Sequence, residues 1–271
     1  MQRSQKPPGQ PAVHAGVGAA VGVAGGLIGL GGAELRLPYL VGVLKLTAHQ
    51  AVAVNLAVSF GTILAAIPAR WIGLTEAPSA SSWTIALAVA VGAVTGAWLG
   101  SRWLARLSSK TLTQLIAALL VALGLLLLVE SQIPLVSDGV MPADTTIRTL
   151  GGAAAGVLVG TVSSLLGVAG GELLIPLFVF GFGIPVKLAG SLSLAVSLPT
   201  VSVGLWRNWR AGRLGNRAFW RGLILPMTVG AMLGAALGGQ LVGLVDAELL
   251  KVALGLLLIW SSWKVLSHGS R

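Results

Sequence analysis

Two glutamates, Glu34 and Glu172, stand inside apolar sequence directly after glycine runs, and a proline follows each at the same distance. The stretches are Gly29-Leu30-Gly31-Gly32-Ala33-Glu34-Leu35-Arg36-Leu37-Pro38 and Gly167-Val168-Ala169-Gly170-Gly171-Glu172-Leu173-Leu174-Ile175-Pro176, with both glutamates and both prolines 138 positions apart. A carboxylate in a membrane span costs about 3 kcal/mol on insertion scales, so it faces protein or a cavity. Two chemistries are open to this pair: capping of exposed amides at a helix start, or carrying a proton that couples to transport. The glycines permit close approach and left-handed backbone, and the proline suits a new helical turn. Each stretch therefore reads as a chain break, and in membranes such breaks mark binding sites.

Arg36 has no counterpart, because Leu174 occupies the equivalent position. Its guanidinium could bind an anionic substrate, pair with a glutamate or snorkel to an interface. Asn55, Ser59 and Thr62 line one helix face at i, i+4, i+7, and Ser193, Ser197 and Thr200 repeat that stripe 138 residues later. The stripes serve either interhelical hydrogen bonding or as walls of a small polar path. The helix starts after Gly32 and Gly171 would turn amide donors toward an oxyanion. The substrate-binding candidates are thus Gly31, Gly32, Arg36, His49, Asn55, Ser59, Gly170, Gly171, Ser191, Ser193 and Ser197, with Glu34 and Glu172 as proton-coupling candidates. Only three histidines, His14, His49 and His268, are scattered along the chain, so no metal cluster and no cofactor are expected. No Walker A stretch, catalytic triad or dinucleotide fingerprint is present.

The elements that must position these residues follow from composition. Of 271 residues, 55% are hydrophobic and 10% charged, with 38 glycines and a mean hydropathy of +0.89, which excludes an ordinary soluble domain. Segments at about 12–31, 47–68, 83–104, 111–130, 147–167, 187–206, 219–243 and 249–267 approach the ~20 residues a spanning helix needs. Segments 34–45 and 172–184 are too short and read as broken or re-entrant helices.

The offset of 138 persists beyond the glycine stretches. Leu56, Ala57, Val58 and Ser59 meet Leu194, Ala195, Val196 and Ser197, and Gly92 and Gly96 meet Gly230 and Gly234. The chain is a duplicated unit: a tail at 1–11, a first repeat at 12–130, a connector at 131–146 and a second repeat at 147–271. Charge placement orients the halves. The loop with Arg102, Arg106 and Lys110 lacks acid, whereas its counterpart holds Asp246 and Glu248. The loop with Arg207, Arg210, Arg213, Arg217 and Arg221 lacks acid too, whereas its counterpart is read as carrying Arg70 and Glu76. Equivalent loops of opposite bias imply inverted repeats, with both termini cytoplasmic and the connector outside. The expected fold is an all-α polytopic membrane protein of two inverted repeats with about five helical segments each. A net charge of +10 then reflects sidedness, not nucleic-acid binding. Eight of the nine tryptophans stand near segment ends, as an interfacial belt.

Both stretches together resemble the paired signature of the TauE/SafE family of sulfite-exporter-like permeases. The residues that carry the resemblance are Gly29, Gly31, Gly32, Pro38, His49, Ala51 and Asn55, then Gly167, Gly170, Gly171, Pro176, Lys187, Ala189 and Ser191. The resemblance implies ATP-independent transport, with export favoured, of a small sulfur-containing or organic anion such as sulfite or a sulfonate across a bacterial inner membrane. The expected partners are that anion and the lipid bilayer, and no enzymatic activity is expected. A passive anion channel and a non-transport scaffold or intramembrane enzyme remain the alternatives.

Overall fold

The computed structural model describes residues 10–74, 76–103, 109–132, 139–166, 169–214 and 217–269. Gly167, Arg106, Asp138 and the charges of both termini lie outside them, as do the side chains of Glu34, His49, Arg102, Lys110, Glu130 and Lys264. All regular structure in the described residues is helical. The first half comprises α1 (Pro11–Ile28), α2 (Ala33–Pro38), α3 (Ala48–Gly73), α4 (Ala80–Trp103) and α5 (Ser109–Glu130). The second comprises α6 (Thr145–Leu166), α7 (Gly171–Pro176), α8 (Val186–Arg210), α9 (Arg217–Phe219), α10 (Leu225–Gln240) and α11 (Ala247–Gly269). Five apolar stretches, Pro11–Ile28, Gln50–Gly73, Ala80–Trp98, Val186–Arg210 and Arg217–Leu244, are long enough to cross a bilayer. The chain is a polytopic helical membrane protein.

The two short segments turn back on their predecessors. Gly29, Gly31 and Gly32 take φ of 95°, 76° and 71°, a left-handed run that a side chain would strain. The chain thereby reverses at the end of α1. Gly32 returns beside Val21, and further on Tyr39 Oη lies 2.8 Å from His14 Nδ1. The second half repeats the hairpin: Gly170, at φ 84°, lies against Ser163, and Phe182 against Gly152.

Both return arms change to wide π-type turns directly after their prolines, at Tyr39–Val43 after Pro38 and Leu177–Gly181 after Pro176. A proline supplies no N–H and crowds the preceding turn, so the regular ladder fails there. Neighbouring chain compensates in the second arm, where Val140 and Met141 N–H groups donate to Phe180 and Gly181 carbonyls at 2.8 and 3.0 Å. A further π turn at Trp220–Ile224 interrupts what the sequence presents as one segment at 219–243. Pro226 near the start of α10 lies just beyond it.

Packing exchanges elements between halves. A Cβ on Gly18, Gly22 or Gly26 of α1 would lie 2.2 to 2.4 Å from the carbonyls of Met227, Ala231 or Ala235 on α10. The α4–α6 pair is built alike, with Gly156 and Gly160 against the carbonyls of Val89 and Ala93. The first helix of each half thus lies parallel to the third long helix of the other, at a separation that only glycine allows. By contrast, α3 runs antiparallel to its offset counterpart α8, since Leu56 meets Gly204 and Arg70 meets Ser191. The pair α5 and α11 is antiparallel as well, since Gly124 meets Gly255 and Ser262 Oγ donates to the Ala117 carbonyl at 2.9 Å.

One placement is corrected. Arg70 does not belong to the loop after α3: it lies within the last turns of that helix and is wholly buried. The loop it leaves keeps exposed Glu76 as its described charge.

Candidate functional site at the glycine breaks

The tips of the two hairpins meet. A Cβ on Gly31 would sit 3.6 Å from that of Ala169, its own counterpart at offset 138, and one on Gly171 would sit 2.9 Å from Leu30 Cα. Two irregular stretches of backbone therefore share one buried region, and each of their polar groups needs a partner.

The polar stripes supply those partners. From α3, Asn55 Nδ2 donates to the Ala33 carbonyl at 3.1 Å. From α8, Ser193 Oγ donates to the Gly29 carbonyl at 2.6 Å and Ser197 Oγ to the Ala169 carbonyl at 2.7 Å. Thr62 and Thr200 donate to carbonyls of their own helices, Val58 and Val196. The stripes are buried, and apart from Ser59, which accepts from Arg36, these groups donate to backbone oxygens of the breaks or of their own helices. Such interhelical and local hydrogen bonds are common for polar side chains on membrane helices.

Arg36 is wholly buried and does not snorkel. Its Nε donates to Asn55 Oδ1 at 3.1 Å, Nη1 to Thr62 Oγ1 at 3.2 Å, and Nη2 to Ser59 Oγ and to the Gly31 carbonyl at 2.9 Å. The two halves solve one problem differently. In the second, Ser197 reaches the carbonyl of Ala169 directly; in the first, Arg36 is interposed between the equivalent Ser59 and Gly31. Leu174 stands where a second arginine would be.

Arg70 is the residue that sequence reasoning missed. Its Nη1 donates to the carbonyls of Gly26 and Leu27, its Nη2 to the Lys187 carbonyl at 2.7 Å, and its Nε to Ser191 Oγ at 2.9 Å. Gly26 and Leu27 close α1, whose last carbonyls have no intrahelical donor and whose dipole end favours a cation. Arg70 thus caps α1 from α3 while gripping α8. Asn208, 138 residues on, is buried too, but the arginines around it in sequence gave no sign of that.

Of the remaining candidates, Glu172 is buried at the second break and Gly170 forms its left-handed corner. Ser191 belongs to the Arg70 cluster rather than to the tips. Gly32 packs on Val21. The side chains of Glu34 and His49 lie outside the description.

Comparison with known proteins decides the lineage. The family model described as sulfite exporter TauE/SafE matches residues 1–127 and 152–271, nearly the whole chain. The chain belongs to the TauE/SafE family. Two curated relatives, each named a probable membrane transporter protein and found in Xylella fastidiosa strains Temecula1 and 9a5c, are 28% identical over 264 residues. The alignments cover 93% of this chain and 95% of each relative. No solved structure matches the chain. This TauE/SafE member is a membrane transporter, and the glycine runs on which the resemblance rested form the tips that meet inside it.

Proposed function

We propose that the protein is a secondary carrier that exports a small sulfur-containing or organic anion, sulfite or a sulfonate, across a bacterial inner membrane. The observation that carries this reading is the meeting of Gly31 with Ala169 and of Leu30 with Gly171, with the Arg36 guanidinium bonded to one tip. Broken backbone inside a bundle is tolerated where it is buried in protein or lines a substrate route. A guanidinium there suits an oxyanion.

The two halves act as inverted repeats, a reading supported by the antiparallel course of α3 against α8 and of α5 against α11. Both termini face the cytoplasm, with the exposed Arg207, Arg210, Arg217 and Arg221 on that side and Glu76 on the other. Glu172, buried at the second tip, carries the coupling proton, with Glu34 as its counterpart in the first half.

Proteoliposomes loaded with sulfite, sulfoacetate or acetate test the reading. Saturable efflux accelerated by an imposed pH gradient, together with counterflow, is the expected result. Flux that ignores the gradient for every anion would eliminate proton coupling, and channel-like flux without counterflow would eliminate the carrier.

A further inference from the structure

One buried polar atom in the described residues stands without a hydrogen-bond partner, the Oγ of Ser163 near the end of α6. Its residue is 2% exposed. A hydroxyl in a helix has a partner within easy reach, the carbonyl one turn back, and Thr62, Thr95, Thr200 and Ser202 all donate to theirs. Ser163 does not. Its oxygen is directed at Gly170, where an added Cβ would meet it at 2.4 Å, so the hydroxyl rests on the open side of the left-handed glycine that turns the second tip.

Hairpin formation does not require this hydroxyl. The equivalent residue of the first half is Gly25, which meets the backbone of Gly32 at the corresponding corner with no side chain at all. A buried hydroxyl left unpaired is costly, so an unpaired one aimed at a break is a donor in want of an acceptor.

We propose that Ser163 is a ligand contact whose hydroxyl donates to an oxygen of the carried oxyanion when that anion occupies the second tip, beside Gly170. The inference rests on the anion-carrier reading above and adds to it a contact from α6, a helix that supplied none of the sequence candidates. Ser197 already holds Ala169 from α8, so Ser163 approaches the same tip from a different helix. Glu172 follows two residues after Gly170, and a coupling carboxyl that holds its proton is neutral when the anion arrives.

The test is binding of sulfite, sulfoacetate and acetate to purified full-length protein, by calorimetry and by thermal shift, in wild type and Ser163→Ala. The variant should bind the preferred anion about tenfold more weakly, the range of one hydrogen bond to a charged group. Its melting temperature without anion should hold or rise, because an unsatisfied group is gone. Unaltered affinity in Ser163→Ala overturns the assignment. So does unaltered affinity with a lowered anion-free melting temperature, which marks a hydroxyl that holds structural water. Should Ser163→Ala fail to assemble, Ser163→Cys keeps the side-chain shape at slightly greater size with a weaker donor, and wild-type affinity there likewise overturns the proposal. Absence of any anion response in wild type would instead sink the carrier reading on which the assignment rests, a different result from wild-type binding that the variant preserves.

Discussion

Arg70 Nε donates to Ser191 Oγ at 2.9 Å, joining the end of α3 to the start of α8 across 121 residues of sequence. The same guanidinium holds the Gly26 and Leu27 carbonyls that end α1. Replacing it with alanine strands several buried acceptors at once. Arg70→Ala is therefore expected to cost about 3 kcal/mol or more of stability, and Ser191→Ala only about 1 kcal/mol. Thermal unfolding in detergent compares them; equal melting temperatures for wild type and Arg70→Ala would show that the cap is dispensable.

Gly22 packs so closely on α10 that a methyl group would lie 2.3 Å from the Ala231 carbonyl, whereas a methyl on Gly16 of the same helix meets nothing within 4 Å. Gly22→Ala must push the helices apart and is expected to lose about 1–3 kcal/mol. Gly16→Ala should be neutral or slightly stabilising, because alanine is the better helix former. Matched melting curves check the pair, and similar losses in both would contradict the packing geometry.

The planar fork of Arg36 reaches Asn55, Ser59, Thr62 and the Gly31 carbonyl together, a pattern that a lysine ammonium with three donors cannot reproduce. Arg36→Lys should keep a positive charge yet lower anion flux at least tenfold, since about 1.4 kcal/mol of lost interaction suffices. Proteoliposome flux at equal protein incorporation measures it. Wild-type rates in Arg36→Lys would show that geometry at this tip is irrelevant to transport.

Glu172→Gln removes a titratable group from the second tip and keeps its shape. If the carboxyl carries the coupling proton, the variant should still exchange anion in counterflow while losing acceleration by a pH gradient. Gradient-driven flux at the wild-type rate would assign the proton elsewhere.

The sequence contains no cysteine, so single cysteines report sidedness cleanly. Ser79→Cys, in the exposed loop before α4, should react with a membrane-impermeant thiol reagent added to intact cells, and Ala211→Cys, in the exposed turn after α8, should not. The reverse labelling would turn the molecule over.

The helical segments and the two glycine breaks were legible in the linear chain because each depends on neighbouring residues. An apolar run of the right length, a glycine that admits positive φ and a proline without an N–H act locally, wherever the rest of the chain goes. The pairing of Asn55 with Arg36 was not legible, nor the donation from Ser193 to Gly29, nor the burial of Arg70, which the charge pattern had placed in a loop. Those depend on which distant helix arrives alongside, and that was decided by the exchange of α1 onto α10 and of α6 onto α4. Glycine stripes determine how closely two helices approach, but complementarity over the whole bundle selects the partner. The tertiary structure alone therefore decided which carbonyls were left without donors and which side chains had to satisfy them.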